Sequence, residues 1–199
     1  LWALPFDAAG AEKSPVAWLD SASGVGATVL GGTSAVCGLD AAYDAGSGEV
    51  VATVVVRQGG DDVVYLVRFG DAGATAPVVV AQKASAGDCR QGLAAARVSV
   101  GQGELLVSVY DAIAALPTLG SAGLYSVTGS SVQSVSIPSP VDASTTDSAA
   151  AGGPTNNLAA RGLSAPLVAG DAVGFAHEGT SAGGKQVITW SSVPATTSP

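Results

Sequence analysis

Three apolar runs in the first half of the chain predict β-strands. "EVVATVVVRQ" (49–58) and "DDVVYLVRFG" (61–70) are rich in Val, Thr, Tyr and Phe, and a Gly-Gly pair separates them. β-Branched and aromatic residues favour strands, and a two-residue glycine connection is typical of a hairpin. "APVVVAQ" (76–82) follows after the turn-forming segment "DAGAT". Because these runs are almost continuously apolar rather than alternating, we expect sheets that are packed on both faces.

Helical patterns are weak along the sequence. We find no long stretch that repeats its apolar residues at a helical period between recognisable caps. "GLAAARVSV" (92–100) is rich in alanine, but its β-branched residues and nearby glycines favour a strand. The sequence therefore predicts an all-β fold.

The chain also repeats itself. Segments that begin Gly-Leu start at Gly38, Gly92 and Gly162, and each continues through a short first strand and a Gly/Asp turn into an apolar second strand. The predicted second strands are 49–58, 104–111 and 172–178, and the predicted third strands are 61–69, 123–128 and 185–190. Fourth strands are predicted at 76–82, 132–138 and, with a weaker pattern, 192–196. Upstream, "SPVAWLDS" and "GATVLGG" look like the third and fourth strands of an earlier unit.

These units divide one β-repeat domain, residues 1–190, at about 1–37, 38–91, 92–161 and 162–199. The interval between the last two Gly-Leu starts is longer because it contains a segment rich in Ser, Thr, Ala, Pro and Gly, at 139–157. That composition is typical of a flexible surface insertion. Residues 191–199 are a Ser/Thr/Pro-rich tail, typical of an extracellular stalk, an O-glycosylated linker or a plain flexible end.

Four short strands in each unit of roughly 40–50 residues resemble the blades of β-propeller repeat proteins. The resemblance covers most of the chain and is generic, since the WD, kelch and Asp-box signatures are absent. It implies radial blades with rim loops available for binding. About three and a half units are present, which implies part of a larger ring or a small ring of four blades completed by "LWALPFD". A β-sandwich is the main alternative, and a parallel β-helix would need shorter and more regular repeats.

Composition narrows the classes of partner. Hydrophobic residues make up 47% of 199, which supports a packed core, and charged residues only 12%. The net charge is −8 and basic clusters are absent, which argues against nucleic-acid binding. No apolar run approaches the roughly 18 residues of a membrane-spanning helix. The chain starts at Leu1 and lacks Met, which predicts a processed product or a fragment.

The two cysteines, Cys37 and Cys89, both lie shortly before a Gly-Leu start. Equivalent positions on neighbouring units lie close together in a stacked or radial array. We therefore expect a disulfide, which requires an oxidising compartment, with two free buried thiols as the alternative. Closing a loop of about fifty residues would stabilise the fold by up to roughly 4 kcal/mol.

"HEGTSAG" contains the one histidine, His177, beside Glu178 and Ser181. Its G-T-S-A-G frame matches the G-x-S-x-G nucleophile elbow, which needs a strand, a sharp turn and then a helix. The strand "AVGFAHE" is present, but "GKQVITW" after the serine has the pattern of another strand. We therefore predict a hairpin connection at this motif and no catalytic residues.

Other candidate sites are weaker. Asp40, Asp44 and Glu49 surround a glycine turn that could bind Ca²⁺, but the alternating D-x-D-x-D-G spacing is missing, so solvated turn acids are the preferred interpretation. We interpret Asp61 and Asp62 as turn-forming residues at the entrance of a hairpin. Asp142 and Asp147 lie in the insertion, and we interpret them as solvated. The tryptophans Trp2, Trp18 and Trp190 suit either a sugar-stacking platform or core packing. We predict no cofactor and no metal site, since one histidine and two bonded cysteines do not make a zinc site.

These features predict a non-catalytic, extracytoplasmic β-repeat scaffold that binds another protein or joins a surface assembly. The alternative functions are a propeller-type carbohydrate-active enzyme using Asp40, Asp44 and Glu178, or a carbohydrate-binding module using the tryptophans. Expected partners are therefore proteins or glycans. Nucleic acid is not expected.

Overall fold

The structure is a computed structural model, and it describes residues 2–3, 9–12, 16–17, 19–20, 24–70, 73–85, 89, 92–101, 104–113, 116–135, 165–169, 172–180 and 186–194. The elements in these residues are β1 (Trp2–Ala3), β2 (Val16–Ala17), α1 (Gly24–Leu30), β3 (Thr33–Asp44), β4 (Glu49–Gln58), β5 (Asp61–Gly70), β6 (Gly73–Ala74), β7 (Val78–Ala84), β8 (Gly92–Gly101), β9 (Glu104–Ile113), β10 (Leu116–Thr128), β11 (Ser131–Val135), β12 (Leu167–Ala169), β13 (Ala172–Thr180) and β14 (Gln186–Pro194). The described residues are therefore mostly antiparallel β-strands, and the all-β prediction is confirmed.

The first large sheet is the meander β3-β4-β5, whose last strand also pairs with β6 and β7. Gly59 and Gly60, between β4 and β5, have φ angles of 61° and 93°. A two-residue type I′ turn needs positive φ at both central positions, and glycine adopts it without strain. Gln58 consequently lies opposite Asp61, and the predicted hairpin is confirmed.

The second large sheet has the strand order β11-β10-β9-β8. All of its neighbouring strands are antiparallel, and they follow one another in sequence order. The strand prediction for residues 92–100 is confirmed by β8. Two smaller sheets pair β1 with β2 and order β12, β13 and β14 side by side.

Successive residues of β4 and β5 enter two different cores. Alternate residues face the second sheet and form an inner cluster with it, which contains Val51, Val55, Val64, Leu66, Val80, Leu93, Ala96, Val98, Leu105, Val107, Val109 and Val127. The remaining residues face outward and form an outer cluster of Leu19, Val29, Ala52, Val54, Val56, Val63, Tyr65, Val67 and Phe69. Burying one such valine fully stabilises the fold by about 1.5–3 kcal/mol. The prediction of a sheet packed on both faces is confirmed, because β4 and β5 are buried on each side.

The segment "GATVLGG", for which we predicted a strand, instead lies largely in α1. Val25 and Val29 are four residues apart, so a helix directs both onto the outer face of the first sheet. Gln58 anchors the end of this helix, since its side-chain amide donates to the carbonyl oxygens of Thr28 (3.1 Å) and Gly31. If this segment were a strand, the two carbonyl oxygens would lose the Gln58 amide as their donor. The outer cluster would also lose the side chains with which α1 covers it.

Gly26 allows α1 to approach the chain that precedes it. A Cβ at this position would overlap the backbone of Asp20. Gly26, which the sequence pattern associates with a strand, therefore allows a short helix to pack closely against the preceding chain.

The two large sheets are antiparallel, and the predicted four-stranded repeat stays a prediction. In the described residues, Gly92 and Leu93 begin β8, whereas Gly38 and Leu39 lie in the middle of β3. The last unit differs, because residues 192–194 continue β14 rather than begin a separate strand, and β14 includes the first four residues of the predicted tail. Among the described residues, Trp2–Ala3 of β1 pair with β2, and β14 pairs with β13. The predicted insertion at 139–157 and residues 195–199 lie outside the described residues.

The strands curl as a half-barrel sheet around the inner cluster. β-Bulges interrupt the registers of β3 with β4, of β5 with β7 and of β8 with β9. A bulge increases the local twist of a strand. The edge strands of the two large sheets, β3 and β8, lie against each other. Among the described residues, no helix is both long and apolar enough to cross a bilayer.

Candidate functional site: the β3–β8 junction and the outer face of β3

The predicted disulfide joins the two large sheets. Cys37 lies in β3 within a register shift between Val36 and Gly38, and Cys89 lies in a turn shortly before β8. Their Cα atoms are 5.0 Å apart although 52 residues separate them in sequence. The bond closes the β3–β8 junction, by which we mean the place where the edge strands of the two sheets meet. The disulfide prediction is confirmed.

Asp40 extends across the same junction. The backbone N–H of Val98 in β8 donates to Oδ2 of Asp40 at 2.9 Å. Beside it, the hydroxyl of Thr53 in β4 donates to the carbonyl oxygen of Ala96 at 3.4 Å. Two backbone groups on the edge of β8 are thus bound by side chains of the first sheet.

Asp44 and Glu49 stabilise the turn between β3 and β4. Oδ1 of Asp44 accepts from the backbone N–H groups of Gly46 and Ser47, and Oδ2 accepts from the Ser47 hydroxyl at 2.9 Å. Arg68 lies 3.6 Å from Asp44 and 3.2 Å from Glu49. The Ser47 hydroxyl, the two backbone donors and the Arg68 charge together hold the pKa of Asp44 below its usual 3.8. These contacts assign the two carboxylates to turn stabilisation.

The structure separates the roles of Asp61 and Asp62. Asp61 accepts a hydrogen bond from Gln82 in β7 at an exposed position. Asp62 is fully buried, and its Oδ1 accepts from Nε of Arg57 at 2.8 Å, while its Oδ2 has no hydrogen-bond partner. Our interpretation of Asp62 as a hairpin-entrance residue missed this buried ion pair. A signal for it exists in the sequence, since Arg57 and Asp62 interrupt two apolar runs at facing positions of the predicted hairpin.

A further ion pair, which was not predicted, connects the two large sheets. Nζ of Lys83 in β7 donates to both carboxylate oxygens of Asp111 in β9, at 2.9 and 2.7 Å. Tyr125 on β10 lies nearby, and burial together with the Asp111 charge raises its pKa above 10.0. Long-range pairs of this kind depend on how the sheets meet, which the local pattern does not specify.

The outer face of β3 presents a continuous apolar surface, the β3 stripe, formed by Val36, Leu39 and Tyr43. In the described part of the chain, these are three of five large hydrophobic residues that are exposed, with Tyr43 at 65%. Their partners on β4 are Val56, Val54 and Val50, which contribute to or pack against the outer cluster. The outer cluster therefore continues onto β3 as solvent-exposed surface.

The described part of the "HEGTSAG" motif, residues 177–180, lies in a strand that pairs with the next strand along the chain, as the predicted hairpin requires. His177 and Glu178 are in β13, and the chain resumes in the antiparallel strand β14 rather than in a helix. Ser181 and residues 182–185 lie outside the described residues, as do the side chains of His177 and Glu178. The strand–turn–helix of a nucleophile elbow is not formed by these two elements.

The structure does not describe the remaining candidate residues. These are the side chains of Trp2 and Trp190, all of Trp18, and Asp142 and Asp147. Within the described residues, no group of three or more His, Cys, Asp or Glu side chains is arranged to hold a metal ion.

Comparison with known proteins gives no relative for this chain: no family model, no curated protein and no solved structure matches it.

Proposed function

We propose that this protein is a non-catalytic scaffold whose β3 stripe binds a partner protein. The observation that carries the proposal is the stripe itself, because Val36, Leu39 and Tyr43 are exposed beside strands that are otherwise buried on both faces. Contiguous exposed apolar surface with a polar border is characteristic of protein-interaction sites. Tyrosine is also enriched in the centres of such interfaces.

The charge around the stripe indicates the kind of partner. Asp44 and Glu49 border its Tyr43 end and outnumber Arg68, and the whole chain carries a net charge of −8. Complementary potentials accelerate association and suppress wrong partners. We therefore infer a partner whose apolar contact surface is bordered by basic residues.

The same proposal includes an extracytoplasmic location and a repeat architecture. The Cys37–Cys89 disulfide supports an oxidising compartment, such as the cell surface or a secreted assembly. The two antiparallel meanders support the interpretation that the Gly-Leu units are copies of one four-stranded sheet, arranged as in a small or partial β-propeller. Loops and outer strand faces of such a scaffold would then be available for binding.

Site-specific photocrosslinking in the native host tests the proposal. Replacing Tyr43 with a photoreactive phenylalanine derivative should covalently capture a protein in stoichiometric yield. The control is the same probe at Val79, which is exposed on β7 at the opposite edge of this sheet. It should not capture the partner. Equal capture at both positions, or no capture at position 43, would show that the β3 stripe is not the binding surface.

A further inference from the structure

Lys83 on β7 lies between two carboxylates and binds one of them. Its Nζ donates to both oxygens of Asp111 on β9, at 2.9 and 2.7 Å. Within its own sheet, Lys83 is the direct register partner of Asp62 on β5. Directly paired residues of antiparallel strands share one face of the sheet, with Cβ atoms about 4.5–5.5 Å apart. The long, flexible stem of a lysine can therefore reach either carboxylate.

The carboxylate that Lys83 does not bind is the one that lacks a donor. Asp62 is fully buried and its Oδ1 accepts from Arg57, but among the described residues its Oδ2 has no hydrogen-bond partner. A buried acceptor that is left unsatisfied keeps its full desolvation penalty. Lys83 would remove this penalty by moving to Asp62, and the carboxylate of Asp111 would then be available to another donor.

Asp111 can be reached from solvent and has an aromatic neighbour. Its side chain is 28% exposed even when paired with Lys83, whose own side chain is 52% exposed. Burial and the Asp111 charge both raise the pKa of Tyr125, so the carboxylate acts directly on this phenol. A carboxylate beside an aromatic ring is a favourable environment for an organic cation.

A glycine gives the Tyr125 ring its position. A Cβ on Gly123 would come within 3.1 Å of Cε2 and 3.4 Å of Oη of Tyr125, so the ring lies over this glycine. Gly123 is the register partner of Val109, and Asp111 is the next residue of β9 on the same face. The ring therefore extends along β10 towards the level of Asp111.

From these observations we propose that Asp111 and Tyr125 bind a guanidinium group, and that its binding transfers Lys83 from Asp111 to Asp62. Both oxygens of Asp111 accept from one donor group, and a planar guanidinium offers two parallel N–H donors to such a pair. A guanidinium also stacks on an aromatic ring. After the exchange, each charge of the set has a partner of opposite sign.

The guanidinium belongs either to a free arginine derivative or to an arginine side chain of a partner protein. None of the residues of this site belongs to the β3 stripe. The site is therefore tested independently of the scaffold proposal.

NMR titration of the isotopically labelled full chain with N-acetylarginine amide tests the proposal. N-Acetylcitrulline amide, which has nearly the same shape and no charge, is the control ligand. We expect the carboxyl carbon signals of Asp111 and Asp62 to shift along one binding curve, because Lys83 leaves the first and reaches the second. The citrulline amide should shift neither signal. A shift at Asp111 alone would contradict the transfer of Lys83, and no shift at either residue would contradict the site.

Three variants separate the steps. Asp111→Asn should weaken binding at least tenfold. Lys83→Met should still bind the arginine amide, but the Asp62 signal should no longer respond to it. Asp61→Asn removes the neighbouring exposed carboxylate and is the matched control, with an unchanged Kd. Equal weakening by Asp61→Asn and Asp111→Asn, or an Asp62 response that persists in Lys83→Met, would overturn the proposal.

The peptide N-acetyl-Ala-Ala-Arg-Ala-Ala-amide distinguishes the two sources of the guanidinium. Binding at least tenfold tighter than that of N-acetylarginine amide would assign the group to a partner protein. Equal or weaker binding would assign it to a free arginine derivative. Loss of the Asp62 response with the bound peptide would contradict the transfer of Lys83 for that source.

Discussion

Oδ2 of Asp40 on β3 lies 2.9 Å from the backbone nitrogen of Val98 on β8, whose N–H it accepts. The two residues are 58 positions apart in sequence, and they connect two sheets between which the described residues form no backbone ladder. The Asp40 carboxylate thus accepts the hydrogen bond that a backbone carbonyl of a neighbouring strand would accept within a sheet. The sheets are joined here by side-chain chemistry, which makes the junction sensitive to single substitutions.

Removing this acceptor should destabilise the protein measurably. Asp40→Ala leaves the Val98 N–H without its partner, and we expect the free energy of unfolding to fall by about 1–3 kcal/mol. Asp40→Asn keeps an acceptor oxygen, so its free energy of unfolding should fall by less. Urea denaturation of the three proteins makes the comparison, and equal stability of Asp40→Ala and the wild type would refute the role of this bond.

The buried ion pair predicts a larger effect and a specific rescue. Asp62→Ala leaves the guanidinium of Arg57, which is 8% exposed, without its carboxylate. We expect a loss of about 3–5 kcal/mol, whereas the double change Arg57→Met/Asp62→Leu should recover most of it, because neither charge then remains buried. Thermal and urea unfolding measure both variants.

Asp61→Ala is the matched control for that pair, since it removes a neighbouring carboxylate whose hydrogen bond to Gln82 is exposed. Its effect should stay within about 0.5 kcal/mol of the wild type. A similar cost for the Asp61 and Asp62 variants would contradict the distinction that the structure draws between them.

The turn at Asp44 predicts a dependence on pH. Its pKa in the folded protein lies below 3.8, so the ionised carboxylate stabilises the fold above about that value, and this contribution is lost as the pH falls through the lower folded pKa. Ser47→Ala removes the largest cause of the shift and should return the pKa of Asp44 towards 3.8. Carboxyl carbon NMR titration follows this group directly, and identical midpoints in wild type and variant would argue against the Ser47 contact.

The sequence predicts the large sheets well because their signals are local. The Gly59–Gly60 pair specifies the β4–β5 turn, and the continuous apolar runs on either side require cover on both faces. The disulfide could also be predicted, because Cys37 and Cys89 each closely precede a Gly-Leu pair in the sequence, although one lies inside β3 and the other in the turn before β8.

The features that escaped prediction depend on distant parts of the chain. Residues 24–30 have too few positions to separate a strand from a helix, and packing of Val29 into the outer cluster decides between them. Asp62 has the local pattern of a solvated turn residue, and its complete burial depends on how the sheet packs in the folded protein. The exposure of the β3 stripe likewise depends on α1 covering the neighbouring strands and not β3, which no local pattern encodes.

Binding of the photocrosslinked partner to purified variants tests the scaffold function most directly. Leu39→Ser and Tyr43→Ser change exposed side chains and should leave folding intact, whereas Val79→Ser is the matched change outside the β3 stripe. Isothermal titration calorimetry should give a Kd at least tenfold weaker for the two stripe variants and an unchanged Kd for Val79→Ser. Unchanged affinity of both stripe variants, or equal weakening by all three, would contradict the assignment of this surface.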